Sequence, residues 1–224
     1  FNALHVDATR NLAKAAKQAE VKQFIHISSL GASSQSKSRL LKTKGYGEEA
    51  VLQSFPNANI IRPSLIFGAE DTFFIRFANL SSISPFIPIV GSKTKFQPVY
   101  VDDVAKVIGL LIEKKYHKKY LELGGDEIYT FYELIIILLS EIKRKRIILR
   151  LPFSLGKIIA SINDFFRLIS GDLVPAFLTV AQVKSLESDN VVGKKHEKFS
   201  DLGIAPRKLE IILPTYLSRF KRTK

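Results

Sequence analysis

The residues best suited to chemistry are two hydroxyls and a lysine: Ser28 and Ser29 at the end of an apolar run, and Lys44 in Leu40-Leu41-Lys42-Thr43-Lys44. A tyrosine four residues before a lysine shares a helix face with it. The ammonium then lowers the phenol's pKa so that it can protonate a substrate oxygen. Four residues before Lys44 stands Leu40, and leucine has no proton to give. Tyr46 is no substitute, because two residues past Lys44 is about 200° around the helix. None of the other six tyrosines has a lysine four residues on.

Each candidate also has a plainer reading. Ser28 and Ser29 would close a parallel strand, where side chains open toward the crevice beyond the carboxyl edge of a sheet and can polarise a carbonyl. Loop-forming serines that simply end a strand read the same way. Lys44 borders that crevice or is a solvated surface lysine. Arg62 in Ile61-Arg62-Pro63-Ser64 suits an anionic substrate or cofactor group, and an arginine at a strand end is as often structural. Asp102 or Asp103 reads first as a helix cap and only second as a general base. Gly45-Tyr46-Gly47-Glu48-Glu49-Ala50 has the spelling of a phosphate loop, but its glycines fall in mid-helix and not at a strand-to-helix turn, so that reading is set aside.

The elements that must position these groups follow from periodicity and punctuation. Residues 4–19 have helical spacing, and residues 24–29 form a short apolar run ended by serines. A serine-rich loop over 31–38 precedes a helix over 39–54, which Phe55-Pro56-Asn57 stops. Strands are expected over 59–63, 87–90, 96–100, 120–123 and 147–151, and helices over 71–80, from Asp102 or Asp103 to about 114, 131–142, 152–169, 172–187 and 206–220. Alternating strands and helices up to residue 125 predict an α/β fold: a Rossmann-like, doubly wound parallel sheet over 1–125. A smaller C-terminal α/β cap over 126–224 carries amphipathic and basic helices. The 152–169 helix reads as packed core or as a face for a membrane or a partner.

Composition narrows the classes. The chain has 224 residues, no cysteine and a net charge of +13. Disulfides, thiolate catalysis and cysteine metal sites are excluded, and the four histidines show no ligand spacing, so no metal is expected. The positive charge suits an anionic membrane surface, while the lack of a basic stripe with interleaved aromatics speaks against nucleic acid. The longest apolar run, Leu134 to Leu139, is far too short to span a bilayer. No leader is visible, and a chain that opens Phe1-Asn2 without any methionine says little about targeting.

Four runs together resemble a known family: residues 23–32, Lys44-Gly45-Tyr46-Gly47-Glu48, Arg62-Pro63-Ser64-Leu65-Ile66-Phe67-Gly68-Ala69-Glu70-Asp71, and Gln97-Pro98-Val99-Tyr100-Val101-Asp102-Asp103-Val104-Ala105. The chain is similar to the atypical extended short-chain dehydrogenases, of the NAD-dependent epimerase/dehydratase kind, grouped with the accessory NAD(P)H-binding subunit of respiratory complex I. The resemblance implies a nucleotide held as a structural element and a role in complex I assembly or stability. It further implies a peripheral place on the cytoplasmic face of a bacterial inner membrane or on the mitochondrial matrix side. It puts Ser29 at the catalytic serine position and Lys44 at the catalytic lysine, both vestigial because the tyrosine position is Leu40. Ser28, Lys44, Arg62, Pro63 and Ser64 would line the NAD or NADP site. His5 stands where extended members usually have asparagine.

By the same resemblance, the family's Gly-rich first turn and first four strands are missing from this chain. The cofactor is then expected only when that half is supplied, and another chain could supply the strands. An active NAD(P)-dependent reductase, epimerase or dehydratase is the alternative, and a redox-sensing regulator a second one.

Overall fold

The computed structural model describes residues 2–113, 118–169 (side chains to Phe165), 178–193 and 199–221. In chain order the elements are α1 (Thr9–Gln18, preceded by a π-helical turn, Ala3–Ala8), β1 (Ile25–Ile27), α2 (Arg39–Ser54), β2 (Asn59–Pro63), β3 (Ile66–Phe67), α3 (Thr72–Ile83), β4 (Phe86–Val90), β5 (Lys95–Phe96), β6 (Val99–Tyr100), α4 (Val101–Ile112), β7 (Tyr120–Leu123), β8 (Tyr129–Thr130), α5 (Phe131–Glu141), β9 (Ile147–Leu151), α6 (Phe153–Ile169), α7 (Val180–Ser185) and α8 (Leu209–Leu217). The expected helix over 172–187 is seen only as α7, and its first part lies outside the described residues. So do Lys114–His117 and Arg222–Lys224 of the basic clusters. Among the described residues no helix is long and apolar enough to cross a membrane.

The chain divides into two units. The first comprises 1–66, 97–128 and 190–209. Its centre is a parallel sheet in the order β1-β2-β7, with Ile25 opposite Asn59 and Ile60 opposite Tyr120. Successive side chains on a strand point to opposite faces. Ile60 packs with Ala13, Val51 and Ala58 on the side of α1 and α2, whereas Ile61 packs with Val104, Val107 and Leu111 of α4. Helices therefore cover both faces, the doubly wound Rossmann-like α/β arrangement that the alternating pattern predicts.

The glycines of the phosphate-loop spelling do lie inside α2. A Cβ on Gly45 would meet the backbone of Ser33 and Ser34, and one on Gly47 would meet the carbonyl of His5. They are packing glycines that let the helix approach a loop and the chain start.

The second unit comprises 67–96, 129–189 and 210–224. β4 and β9 pair in parallel, with Phe86 opposite Ile147 and Val90 opposite Leu151, while β5 and β8 pair antiparallel. The strands on either side of the Gly91 turn thus find distant partners. Its interior is aromatic: Phe73 lies 5.4 Å from Phe131 and 5.3 Å from Phe77, centroid to centroid. Asp71 caps α3 by accepting from the Phe74 amide and also takes the Tyr216 hydroxyl. Burial pushes its carboxyl above the ordinary range, against the pull of those hydrogen bonds.

Candidate functional site

The crevice side of the first unit is the carboxyl edge of its sheet, where parallel-sheet proteins hold ligands. At the end of β1 the Ser28 amide donates to Ile61 O, fixing the strand end against β2. Ser28 itself is buried, yet its hydroxyl has no hydrogen-bond partner, and neither has the buried hydroxyl of Ser29. Buried hydroxyls are normally satisfied, because an unmade bond costs about 1–3 kcal/mol. Ser38, at the start of α2, is a third such case, since its side chain caps nothing.

Lys44 reaches the same strand end from α2, and its ammonium donates to Ser28 O at 3.2 Å. Burial lowers its pKa, partly offset by the charge of Glu48. A half-buried ammonium with one described acceptor for three protons is suited to further oxygen ligands. Leu40, one turn before it, contributes only hydrocarbon. Tyr46 is 40% exposed and lines an outer groove with Val6, Arg10 and Glu49, away from Lys44 as its spacing requires. His5 bonds Thr43 Oγ1 through Nδ1 at 2.9 Å.

The end of β2 is built differently. Arg62 Nε donates to Glu48 Oε1 at 2.9 Å and Nη2 donates to Oε2 at 2.5 Å, while Glu122 lies 3.9 Å away. The guanidinium also sits over the Tyr120 ring, 4.5 Å from its centroid. Burial pulls its pKa down, but the hydrogen bond and charge of Glu48, with Tyr120 and Glu122, leave it above its ordinary value. Pro63 is buried within the ladder, and its carbonyl accepts from Leu30.

Ser64 donates toward Asn190 Oδ1 (2.7 Å) and Asn190 O (2.9 Å), and accepts from the Gln97 amide. Gln97 in turn bonds Gly125 O and the Val192 amide. Arg62 and Ser64 are thus engaged with protein partners, and Ser28, Ser29 and Lys44 are the groups brought together at one strand end.

Two polar residues were not singled out by sequence reasoning. Glu48 is buried and is Arg62's partner, and a signal existed: it lies one helical turn after Lys44, on the same face. His26, on β1, is half-buried between these charges; burial depresses its pKa, Glu48 opposes this, and Lys44 and His5 add to it. Neither Asp102 nor Asp103 is the N-cap of its helix. The N-cap of α4 is Tyr100, and Asp103, fully buried in the first turn, takes the Arg207 amide at 2.7 Å and the Lys106 ammonium at 2.8 Å. Among the described residues no group of three or more His, Asp or Glu is placed to hold a metal ion.

Residues 37–152, just over half of the chain, match the family model described as RmlD substrate binding domain. A similar protein of Arabidopsis thaliana is named NADH dehydrogenase (ubiquinone) 1 alpha subcomplex subunit 9, mitochondrial. It is 35% identical over 211 residues, covering 90% of this chain and 52% of the relative. The Mus musculus protein of the same name is 34% identical, covering 94% of this chain and 55% of the relative. The chain therefore spans about half the length of the curated relatives it matches. Among solved structures, a dTDP-glucose 4,6-dehydratase from Streptomyces venezuelae with NAD and TYD bound has TM-score 0.68 at 16% identity, covering 98% of this chain and 66% of that one. A dTDP-4-dehydrorhamnose reductase from Yersinia enterocolitica has TM-score 0.62 at 17% identity, covering 96% of this chain and 72% of that one.

These likenesses agree with the resemblance read from the four sequence runs, and with the Rossmann-like fold: the chain belongs to the RmlD substrate binding domain family, of the short-chain dehydrogenase/reductase kind.

Proposed function

We propose that this chain belongs to a non-catalytic accessory subunit of respiratory complex I, peripheral to the membrane, that holds NAD or NADP as a structural element and serves assembly or stability. Residues 1–125 are then the C-terminal half of the nucleotide-binding domain and 126–224 its smaller extension. Strands from elsewhere in the protein or from another chain extend the sheet at β1, which is an edge strand among the described residues. The place is the cytoplasmic face of a bacterial inner membrane or the mitochondrial matrix side, against complex I subunits and an anionic lipid surface. The named relatives support the complex I part.

One observation carries the non-catalytic binding site: the hydroxyls of Ser28 and Ser29 are buried without partners at the strand end whose Ser28 carbonyl the Lys44 ammonium bonds, and Leu40 stands at the position that the resemblance gives to the proton donor. That set fits the hydroxyl-rich nicotinamide ribose of such a cofactor, which when bound supplies hydride chemistry. Ser28, Ser29 and Lys44 would hold its oxygens; Arg62, Pro63 and Ser64 would shape the neighbouring wall. Proton donation, worth 10²–10⁴ in rate, has no side chain to perform it at the Leu40 position.

The test is to tag the chain in its own host, solubilise membranes in mild detergent and ask what copurifies. Complex I subunits and activity in the eluate are expected. A soluble chain that brings none of them down would refute the accessory reading. A retained reductase or epimerase is the second reading, favoured by the same unsatisfied serines and depressed Lys44.

A further inference from the structure

The parallel register of β4 and β9 puts Phe86, Pro88 and Val90 on the same face as Ile147, Leu149 and Leu151. The inner half of that face is covered: Gly156 packs directly on Val90, and Ala160 and Val183 join the same cluster. The outer half is bare, with Ile147 58%, Phe86 46% and Leu149 40% exposed. Helix α6, lying on the covered half through Gly156 and Ala160, turns its far side outward. That far side is apolar too: Leu155, Ile158 and Ile162 follow at helical spacing and are 41%, 58% and 51% exposed. Both surfaces look in the same direction.

Charge says what covers them. Lys143-Arg144-Lys145-Arg146 runs straight into Ile147, whose amide bonds Pro85 O beside Phe86. Arg144 is pinned by Phe220 O and Arg146 by Ser81 O, and among the described residues no carboxylate pairs with any of the four. Lys143 even holds the left-handed position that ends α5, with φ +52°, where glycine is favoured. Cations at a helix C-terminus complement its dipole, but that effect reaches only the last turn and does not explain a bare apolar face alongside.

We infer that the second unit docks on an anionic phospholipid surface, with the α6 stripe and the outer β4–β9 face entering the headgroup layer and Lys143–Arg146 meeting the phosphates. This rests on, and sharpens, the peripheral-membrane part of the reading above.

The experiment is co-sedimentation of the full chain with phosphatidylcholine vesicles, with and without a third of phosphatidylglycerol, and with duplex DNA as a second polyanion. Binding to the anionic vesicles is expected, with little to the neutral ones. Lys143→Asn with Lys145→Gln should weaken partition about thirty-fold, at about 1 kcal/mol per cation near the surface. Asparagine keeps the left-handed position tolerable. Ile158→Ser with Ile162→Ser should weaken it at least about tenfold. Should that pair unfold the chain by circular dichroism, Leu155→Gln takes its place. No binding to anionic vesicles, binding to DNA in their stead, or a folded variant pair that leaves partition unchanged overturns the inference. Vesicle binding without complex I copurification would leave this surface standing and remove the complex I reading; the reverse would remove only this surface.

Discussion

The ends of β1 and β2 lie side by side in one parallel sheet, yet one carries polar groups without partners and the other is saturated. At β1, Ser28 and Ser29 are buried hydroxyls bonded to nothing, beside a lysine of depressed pKa. At β2, Arg62 has a bidentate carboxylate and an aromatic ring, and Ser64 is tied to Asn190 and Gln97. A saturated polar cluster holds a fold together, and an unsatisfied one carries a standing cost that a ligand can relieve. In the proposed reading this difference separates residues that would face a ligand from residues that would shape its wall, across the runs that carry the family resemblance.

The sharpest way to break that contrast is at Glu48. Glu48→Leu leaves a largely buried guanidinium without its main partner and should cost about 3–5 kcal/mol in denaturant unfolding. Adding Arg62→Met should recover most of it. A loss below about 1 kcal/mol would mean that Arg62 is free to serve a ligand. Ser64→Ala comes next, at about 1–2 kcal/mol, because it strands acceptors on Asn190. Ser28→Ala should go the other way, from neutral to about 1 kcal/mol stabilising, since it removes a hydroxyl that satisfies nothing. Destabilisation by Ser28→Ala equal to that by Ser64→Ala would erase the distinction.

The smallest effect is on pH. Burial, Lys44 and His5 hold His26 below its ordinary pKa in the folded state, against the opposing pull of Glu48. As pH falls through the unfolded value near 6.5, the unfolded chain takes up the proton first, and stability declines. His5 is depressed in the same direction. Melting temperature should therefore drop between roughly pH 7.5 and 5.5, with a shallower slope in His26→Gln. An unchanged slope would show that Glu48 protects the imidazolium better than its burial suggests.

How much of this was legible in the sequence depends on range. Helix α2 and strands β2, β7 and β9 start and stop where apolar runs meet Phe55-Pro56-Asn57, Pro63, Gly124 and Pro152, because those boundaries are local chemistry. The parallel pairing of β1, β2 and β7 and the helices on both faces follow from strand–helix alternation, which leaves the strand order open. Pairings across distance were not legible. β4 chooses β9 instead of its neighbour beyond Gly91, and Asp103 serves an amide on Arg207 instead of capping its own helix. Within the site, the missing donor at Leu40 is read through the family resemblance, which assigns Lys44 its place, and not from spacing alone. That Ser64 is satisfied depends on Asn190, far along the chain, and no local pattern carries it.

The proposed site holds a nucleotide without turning it over, and NADPH consumption is the measurement that decides this. Protein isolated from its host would be assayed against a broad panel of carbonyl substrates, alongside Lys44→Ala. No consumption by either protein is expected. Consumption by the native chain that disappears in Lys44→Ala would contradict it and establish that some other group supplies the proton Leu40 cannot.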